Sequence, residues 1–110
     1  MQMTKAILIA AVLLCVWPRT ADAKKLDGND LFIHYCEQPK ASHAYWVCRG
    51  YIAGVADMLG YLGTICYPTG LIMDQSVDIV IAYLRDHPEK RQLPASDLVG
   101  ASLKEKFPCN

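Results

Sequence analysis

The chain has 110 residues, with 11 basic and 11 acidic side chains and a formal net charge of zero. This length fits a single domain. The charge is balanced, and the sequence contains no run of lysine or arginine. It therefore lacks the electrostatic footprint of a protein that binds nucleic acid or an anionic membrane, and we expect neither as a partner.

The first 23 residues have the pattern of a signal peptide. Lys5 supplies positive charge, residues 6–17 are uncharged and largely apolar, and Ala21 and Ala23 form a small-x-small cleavage pattern. The apolar run is 12 residues long, whereas a membrane-spanning helix needs about 20. The alternative is a buried helix of the final fold. We expect cleavage after Ala23, export to the periplasm, and a mature domain of residues 24–110 without a membrane span.

Four cysteines remain in the predicted mature domain: Cys36, Cys48, Cys66 and Cys109. An even number of cysteines in an oxidising compartment favours disulfides, and a domain this small buries only about 60–65% of its unfolded surface. Three pairings are possible, and we favour Cys36–Cys48 and Cys66–Cys109. Loop-closure entropy assigns these bridges about 3 and 4 kcal/mol of stability, so the bridges are expected to decide whether the domain folds.

Two helices are predicted in the first half of the mature domain. The first covers residues 30–36, with Asp27 or Asn29 as its N-cap, and Pro39 ends it. The second covers residues 43–62 after a Ser42 cap. Its expected buried face has apolar residues at steps of three and four: Cys48, Ile52, Val55, Leu59 and Leu62.

A second apolar stripe along this helix predicts a wider buried face and a central place in the fold: Tyr51, Val55, Met58 and Leu62. Gly50 and Gly54 lie four residues apart, which we interpret as room for another helix to approach closely. Gly60 and Gly63 are expected to end the helix.

Two further helices are predicted in the second half. Asp74 is the expected cap of a helix that ends near Asp86, before Pro88. Its apolar face consists of Val77, Val80, Ile81 and Leu84. A charged surface loop, residues 87–93, leads to a helix that begins near Pro94 and ends before Pro108. Since no strand-like alternation is sustained, the predicted fold class is all-α: a small, disulfide-stapled domain of four helices.

No catalytic set is apparent in the sequence. If all four mature cysteines are paired, none is a free nucleophile. His34 and Cys36 form the only close His/Cys pair, and helical geometry directs them to different sides. Asp74 and Asp78 share a helix face, but carboxylates near a helix N-terminus are favoured for structural reasons. We expect no enzyme activity, no metal site and no cofactor.

The order of several short motifs resembles the Rap/Tai family of immunity proteins. The motifs are CRGYIAGVAD at residues 48–57, CYPTG at 66–70, DQ at 74–75, VIAYLRDHP at 80–88, LPA at 93–95 and FPC at 107–109. The resemblance implies an all-helical periplasmic protein, often a homodimer, that protects bacteria from peptidoglycan-amidase toxins delivered by type VI secretion. It also implies steric inhibition, in which a surface loop fills the active-site cleft of the toxin.

We predict that this loop lies between the third and fourth helices. Its expected partner-binding residues are His87, Glu89, Lys90, Arg91 and Gln92, because the segment is polar and held between two helices. Opposite charges on a partner would then pair with the loop. Two alternatives stay open at this stage: an ordinary solvated loop, and a small periplasmic chaperone that acts under acid stress.

Overall fold

Four main helical segments and one short 3₁₀-helix form the part of the chain that the computed structural model describes, residues 25–110. Helix α1 covers Gly28–Leu31 and continues directly as a π-helix, Phe32–Cys36. It is followed by α2 at His43–Tyr61, α3 at Met73–Asp86, a short 3₁₀-helix at Pro88–Lys90, and α4 at Ala95–Lys106. These residues contain no strand, and the predicted all-α class is confirmed. The predicted signal peptide lies outside the described residues.

The first helical segment begins two residues earlier than predicted, and Asp27 is its N-cap. The Asp27 carboxylate accepts a hydrogen bond of 2.8 Å from the backbone N–H of Asp30. Asp27 therefore satisfies one of the backbone donors that the start of a helix leaves without a partner.

Helix α2 has the predicted start and a C-terminus fixed by one glycine. The Ser42 hydroxyl accepts a 3.2 Å hydrogen bond from the N–H of Tyr45. At the other end, Gly63 has a φ of 72°, and the N–H groups of Gly63 and Thr64 bond to the carbonyls of Gly60 and Leu59. This is a Schellman arrangement. Gly60 lies inside the helix, so Gly63 alone supplies the left-handed residue.

The predicted wide buried face of α2 is confirmed only in part, because Tyr51, Val55 and Leu59 are half-buried against the core while the remaining predicted positions divide. Cys48 and Ile52 are fully buried, as expected, but Met58 is 55% exposed and Leu62 is 61% exposed. The interpretation of Gly50 and Gly54 is wrong, because a Cβ atom at either position would meet nothing within 4 Å. Only one side of α2 therefore packs against the protein.

Helices α3 and α4 pack as their apolar patterns predict. Ile72, rather than Asp74, is the N-cap of α3, and its N–H donates to the Gln75 side chain at 2.9 Å. Asp74 instead pairs with Arg49 of α2, with Nη2 and Oδ1 2.7 Å apart. The buried residues of α3 include all of its predicted apolar positions, Val77, Val80, Ile81 and Leu84, and those of α4 include Leu98, Val99 and Leu103. One hydrophobic core thus joins all four helical segments.

Two disulfides cross-link this core with the pairing favoured from the sequence. Cys36 at the end of the π-helix is bonded to Cys48 of α2, with Cα atoms 5.1 Å apart. Cys66 is bonded to Cys109, with a Cα separation of 5.0 Å, and fastens the C-terminus beside the α2–α3 connection. Among residues 25–110, no helix combines the length and apolarity that crossing a bilayer would require.

Candidate partner-binding surface

The predicted partner-binding residues lie in one surface segment between α3 and α4, which we call the α3–α4 loop (residues 87–92). A single 3₁₀ turn, Pro88–Lys90, forms half of it and begins at Pro88, whose ring fixes φ. Glu89, Lys90 and Gln92 are exposed. The loop therefore presents an acid, a base and an amide side by side.

The His87 side chain makes contacts within the protein that the sequence did not predict. Its ring stacks on the ring of Tyr83, with centroids 4.2 Å apart, and its Nδ1 lies 2.9 Å from the Tyr83 carbonyl. Lys90 approaches the same tyrosine from the loop, with Nζ 3.3 Å from the hydroxyl. Tyr83 thus anchors the beginning of the α3–α4 loop to the last turn of α3.

Arg91 is half-buried, whereas Glu89, Lys90 and Gln92 are exposed. Its Nε donates a 2.7 Å hydrogen bond to the carbonyl of Leu84, and its guanidinium lies 4.3 Å from the ring centroid of Phe32. The last carbonyls of a helix lack partners within the helix, and a cation is favourable at this end of the helix dipole. Arg91 therefore caps α3 and is not freely available to a partner.

The end of the loop is held by a segment that the sequence did not reveal, the N-terminal strap (residues 26–29). Its N–H groups at Gly28 and Asn29 donate to the carbonyls of Leu93 and Arg91 at 2.9 and 2.8 Å. In the other direction, the N–H of Ala95 donates to the carbonyl of Leu26 at 2.9 Å. The α3–α4 loop is thus braced at both ends, by Tyr83 at its start and by the strap at its end.

The strap approaches the loop closely because position 28 has no side chain. A Cβ atom there would lie 2.4 Å from Cδ1 of Leu98 and 2.8 Å from the carbonyl oxygen of Arg91. Both distances are shorter than van der Waals contact. Gly28 is therefore required by packing rather than by its backbone angle.

The sequence also did not predict the apolar outer face of α2. Several of its large side chains point to solvent: Trp46, Val47, Met58, Tyr61 and Leu62. Apolar residues recur on both sides of this helix, so periodicity alone could not separate the buried side from the exposed one. Exposed apolar side chains that lie together often mark interaction surfaces.

Within residues 25–110, no three potential metal ligands come together, and the four cysteines are bonded in pairs. Burial, followed by the nearby Asp57 carboxylate, raises the pKa of Tyr67. Tyr67 therefore remains a neutral hydroxyl, which donates to the carbonyl of Ala56 at 2.9 Å.

Comparison with known proteins gives a family assignment for nearly all of this domain. No curated protein matches the chain. The family described as Rap1a immunity proteins matches residues 27–109, a span that includes the strap, the α3–α4 loop and both disulfides. The chain belongs to the Rap1a immunity protein family.

Proposed function

We propose that this protein is a periplasmic immunity protein that binds a peptidoglycan-amidase toxin of type VI secretion and blocks its active-site cleft with the α3–α4 loop. Membership of an immunity family supports the inhibitor role over the chaperone-like alternative. The target and the route of delivery rest on the resemblance identified in the sequence. The periplasm is supported by the two disulfides, which form and persist in oxidising compartments.

The bracing of the loop is the observation that carries the proposal. A flexible loop would lose conformational freedom on entering a cleft, and that loss would weaken binding. Hydrogen bonds from the strap and from Arg91 restrict the loop before the partner arrives. A restricted loop therefore suits inhibition by occlusion, in which the protein fills the cleft and no bond is made or broken.

Electrostatic matching would set which toxin is recognised. Glu89 and Lys90 are adjacent, exposed and opposite in charge, so they favour a partner whose cleft carries the complementary pair. Charge pairs of this kind contribute more to selectivity and association rate than to total affinity. We extend the proposal to a homodimer, for which the exposed Trp46 and Val47 in the first half of α2 supply an apolar surface. Sedimentation velocity at micromolar concentrations tests it by the expected doubling of mass.

The direct test is inhibition of a purified amidase encoded beside this protein. Soluble products released from peptidoglycan should fall linearly as the protein is added and should vanish at one copy per amidase. Absence of inhibition at a tenfold excess would refute the proposed function.

A charge-swap variant tests the role of the loop. Glu89→Lys combined with Lys90→Glu keeps the net charge and should weaken binding at least tenfold, about 1.4 kcal/mol. The matched control is Lys104→Glu with Glu105→Lys, an adjacent exposed pair on α4, which should bind like the parent. Equal binding by both double variants, measured by calorimetry, would remove the loop from the interface.

A further inference from the structure

A groove lies at the other end of α3 from the α3–α4 loop. It has a volume of about 810 Å³ and is formed by the C-terminal half of α2, the α2–α3 connection and the first turn of α3. Helix α3 has 14 residues, so at 1.5 Å per residue the groove and the loop are about 20 Å apart. The groove is therefore separate from the proposed inhibitory surface.

The floor of the groove is fixed by Tyr67. Its hydroxyl donates to the Ala56 carbonyl, and its ring lies against the backbone of Gly60, where a Cβ atom would come within 2.9 Å of the ring. Phe107 contacts the same ring edge-on, with centroids 5.6 Å apart. The neighbouring disulfide, Cys66–Cys109, holds this part of the C-terminus in place. The groove is thus formed in advance of any ligand.

The rim of the groove is apolar and open to solvent. Met58 is 55% exposed, Ile72 is 61% exposed and Tyr61 is 86% exposed. Burying such side chains under a ligand is favourable by about 25 cal/mol per Å² of apolar surface. Methionine also adapts its shape to different partners, so this rim suits an apolar side chain from another protein.

The groove carries one unbalanced negative charge. Asp57 is the only carboxylate among the lining residues, and no lysine, arginine or histidine lines the groove. Asp57 is exposed and makes no ion pair within residues 25–110, where the Arg49 guanidinium instead pairs with Asp74. A cation placed here would gain an opposite charge without displacing an internal partner.

From the unpaired Asp57 and the apolar rim together, we infer that the groove binds a protein segment in which a lysine or arginine stands next to a large apolar side chain. The cation pairs with the Asp57 carboxylate. The methylene stem of the cation packs on Met58, because long basic side chains bury their stems while their charge remains solvated. The adjacent apolar side chain covers Ile72. That the segment belongs to the toxin rests on the proposed function; the binding chemistry does not.

The test uses a defined peptide, so it does not depend on any amidase. Uniformly ¹⁵N-labelled protein, residues 24–110 with both disulfides formed, is titrated with Ac-Gly-Leu-Lys-Phe-Gly-amide and followed by ¹H–¹⁵N correlation spectra. Saturable shifts are expected at the amides of Met58, Tyr61 and Ile72. The same peptide with glutamate in place of lysine should bind at least fivefold more weakly.

Two variants separate the charge from the general surface. Asp57→Asn should abolish the preference for the lysine peptide, whereas Asp78→Asn, which removes an exposed carboxylate of α3, should retain it. Equal binding of both peptides to the parent protein, or shifts confined to residues outside the groove, would overturn the inference. Amidase inhibition without peptide selectivity would support the proposed function and refute this binding site. Peptide selectivity without amidase inhibition would support this binding site and refute the proposed function.

Discussion

Replacing Gly28 by alanine should detach the N-terminal strap from the α3–α4 loop. The added Cβ atom would lie 2.4 Å from Leu98 Cδ1 and 2.8 Å from the carbonyl oxygen of Arg91. The leucine side chain can rotate away, but the carbonyl belongs to the backbone of the braced loop. The strap must therefore move, and the hydrogen bonds from Gly28 and Asn29 to the loop lengthen or break.

The expected cost follows from two contributions. Overpacking of this kind costs about 1–3 kcal/mol, and each lost backbone hydrogen bond costs about 1 kcal/mol. With one or both of these bonds lost, we expect Gly28→Ala to lower the free energy of unfolding by about 2–5 kcal/mol. Each kcal/mol lowers the melting temperature of a domain this size by about 4–8 °C, so calorimetry and urea titration will both detect the change.

Gly54→Ala is the matched control. Gly54 lies in the exposed middle of α2, where a Cβ atom meets nothing within 4 Å. Alanine is the better helix former by about 1 kcal/mol, so this substitution should raise the free energy of unfolding. The same chemical change thus has opposite signs at the two positions. If Gly28→Ala unfolds like the parent protein, the close contact between strap and loop is not as described and the bracing argument fails.

Three other predictions concern the loop, the groove and the disulfides. Arg91→Ala should lower the melting temperature measured by circular dichroism, because α3 loses its cap, whereas Lys90→Ala should leave it within about 2 °C; equal melting would contradict the assigned role of Arg91. Tyr67→Phe should cost about 1 kcal/mol near neutral pH through the lost hydrogen bond. The pKa of Tyr67 is raised in the folded state, so the stability that Tyr67 contributes is present below its unfolded pKa of about 10 and is lost as the pH rises through the folded value. In urea titrations, the difference in unfolding free energy between the parent protein and Tyr67→Phe should therefore shrink above about pH 10. Limited dithiothreitol should reduce Cys66–Cys109 first, because both of its cysteines are exposed whereas Cys36–Cys48 is buried. Mass spectrometry after alkylation identifies which disulfide has been reduced. Earlier reduction of Cys36–Cys48 would show that solvent exposure does not set the order.

Much of the fold could be predicted because it depends on short-range patterns. The Ser42 cap, the apolar face of α3 and the pairing of Cys36 with Cys48 all follow from residues close together in the sequence. These features combine side-chain periodicity with local hydrogen bonding, and both are visible in residue types. They were sufficient to predict four helices and their order.

The features that define the candidate surface depend on contacts that residue types do not encode. The strap is joined to the loop by main-chain hydrogen bonds between residues more than 60 positions apart. Arginine in a charged loop is usually solvated, yet the guanidinium of Arg91 donates a hydrogen bond to the carbonyl of Leu84. Met58 and Leu62 fit a helical stripe as well as the buried residues do, and only the placement of the other helices decides which stripe is covered.

Holding the α3–α4 loop by its backbone has a consequence for how its sequence can vary. The strap bonds to carbonyl and N–H groups, which every residue except proline supplies in full, so Glu89, Lys90 and Gln92 can be exchanged without loosening the scaffold beneath them. Under the proposed function, toxin specificity can therefore change at the exposed residues of the loop without a change at Gly28. The main-chain hydrogen bonds thus fix the backbone shape of the loop and leave its exposed side-chain chemistry unconstrained.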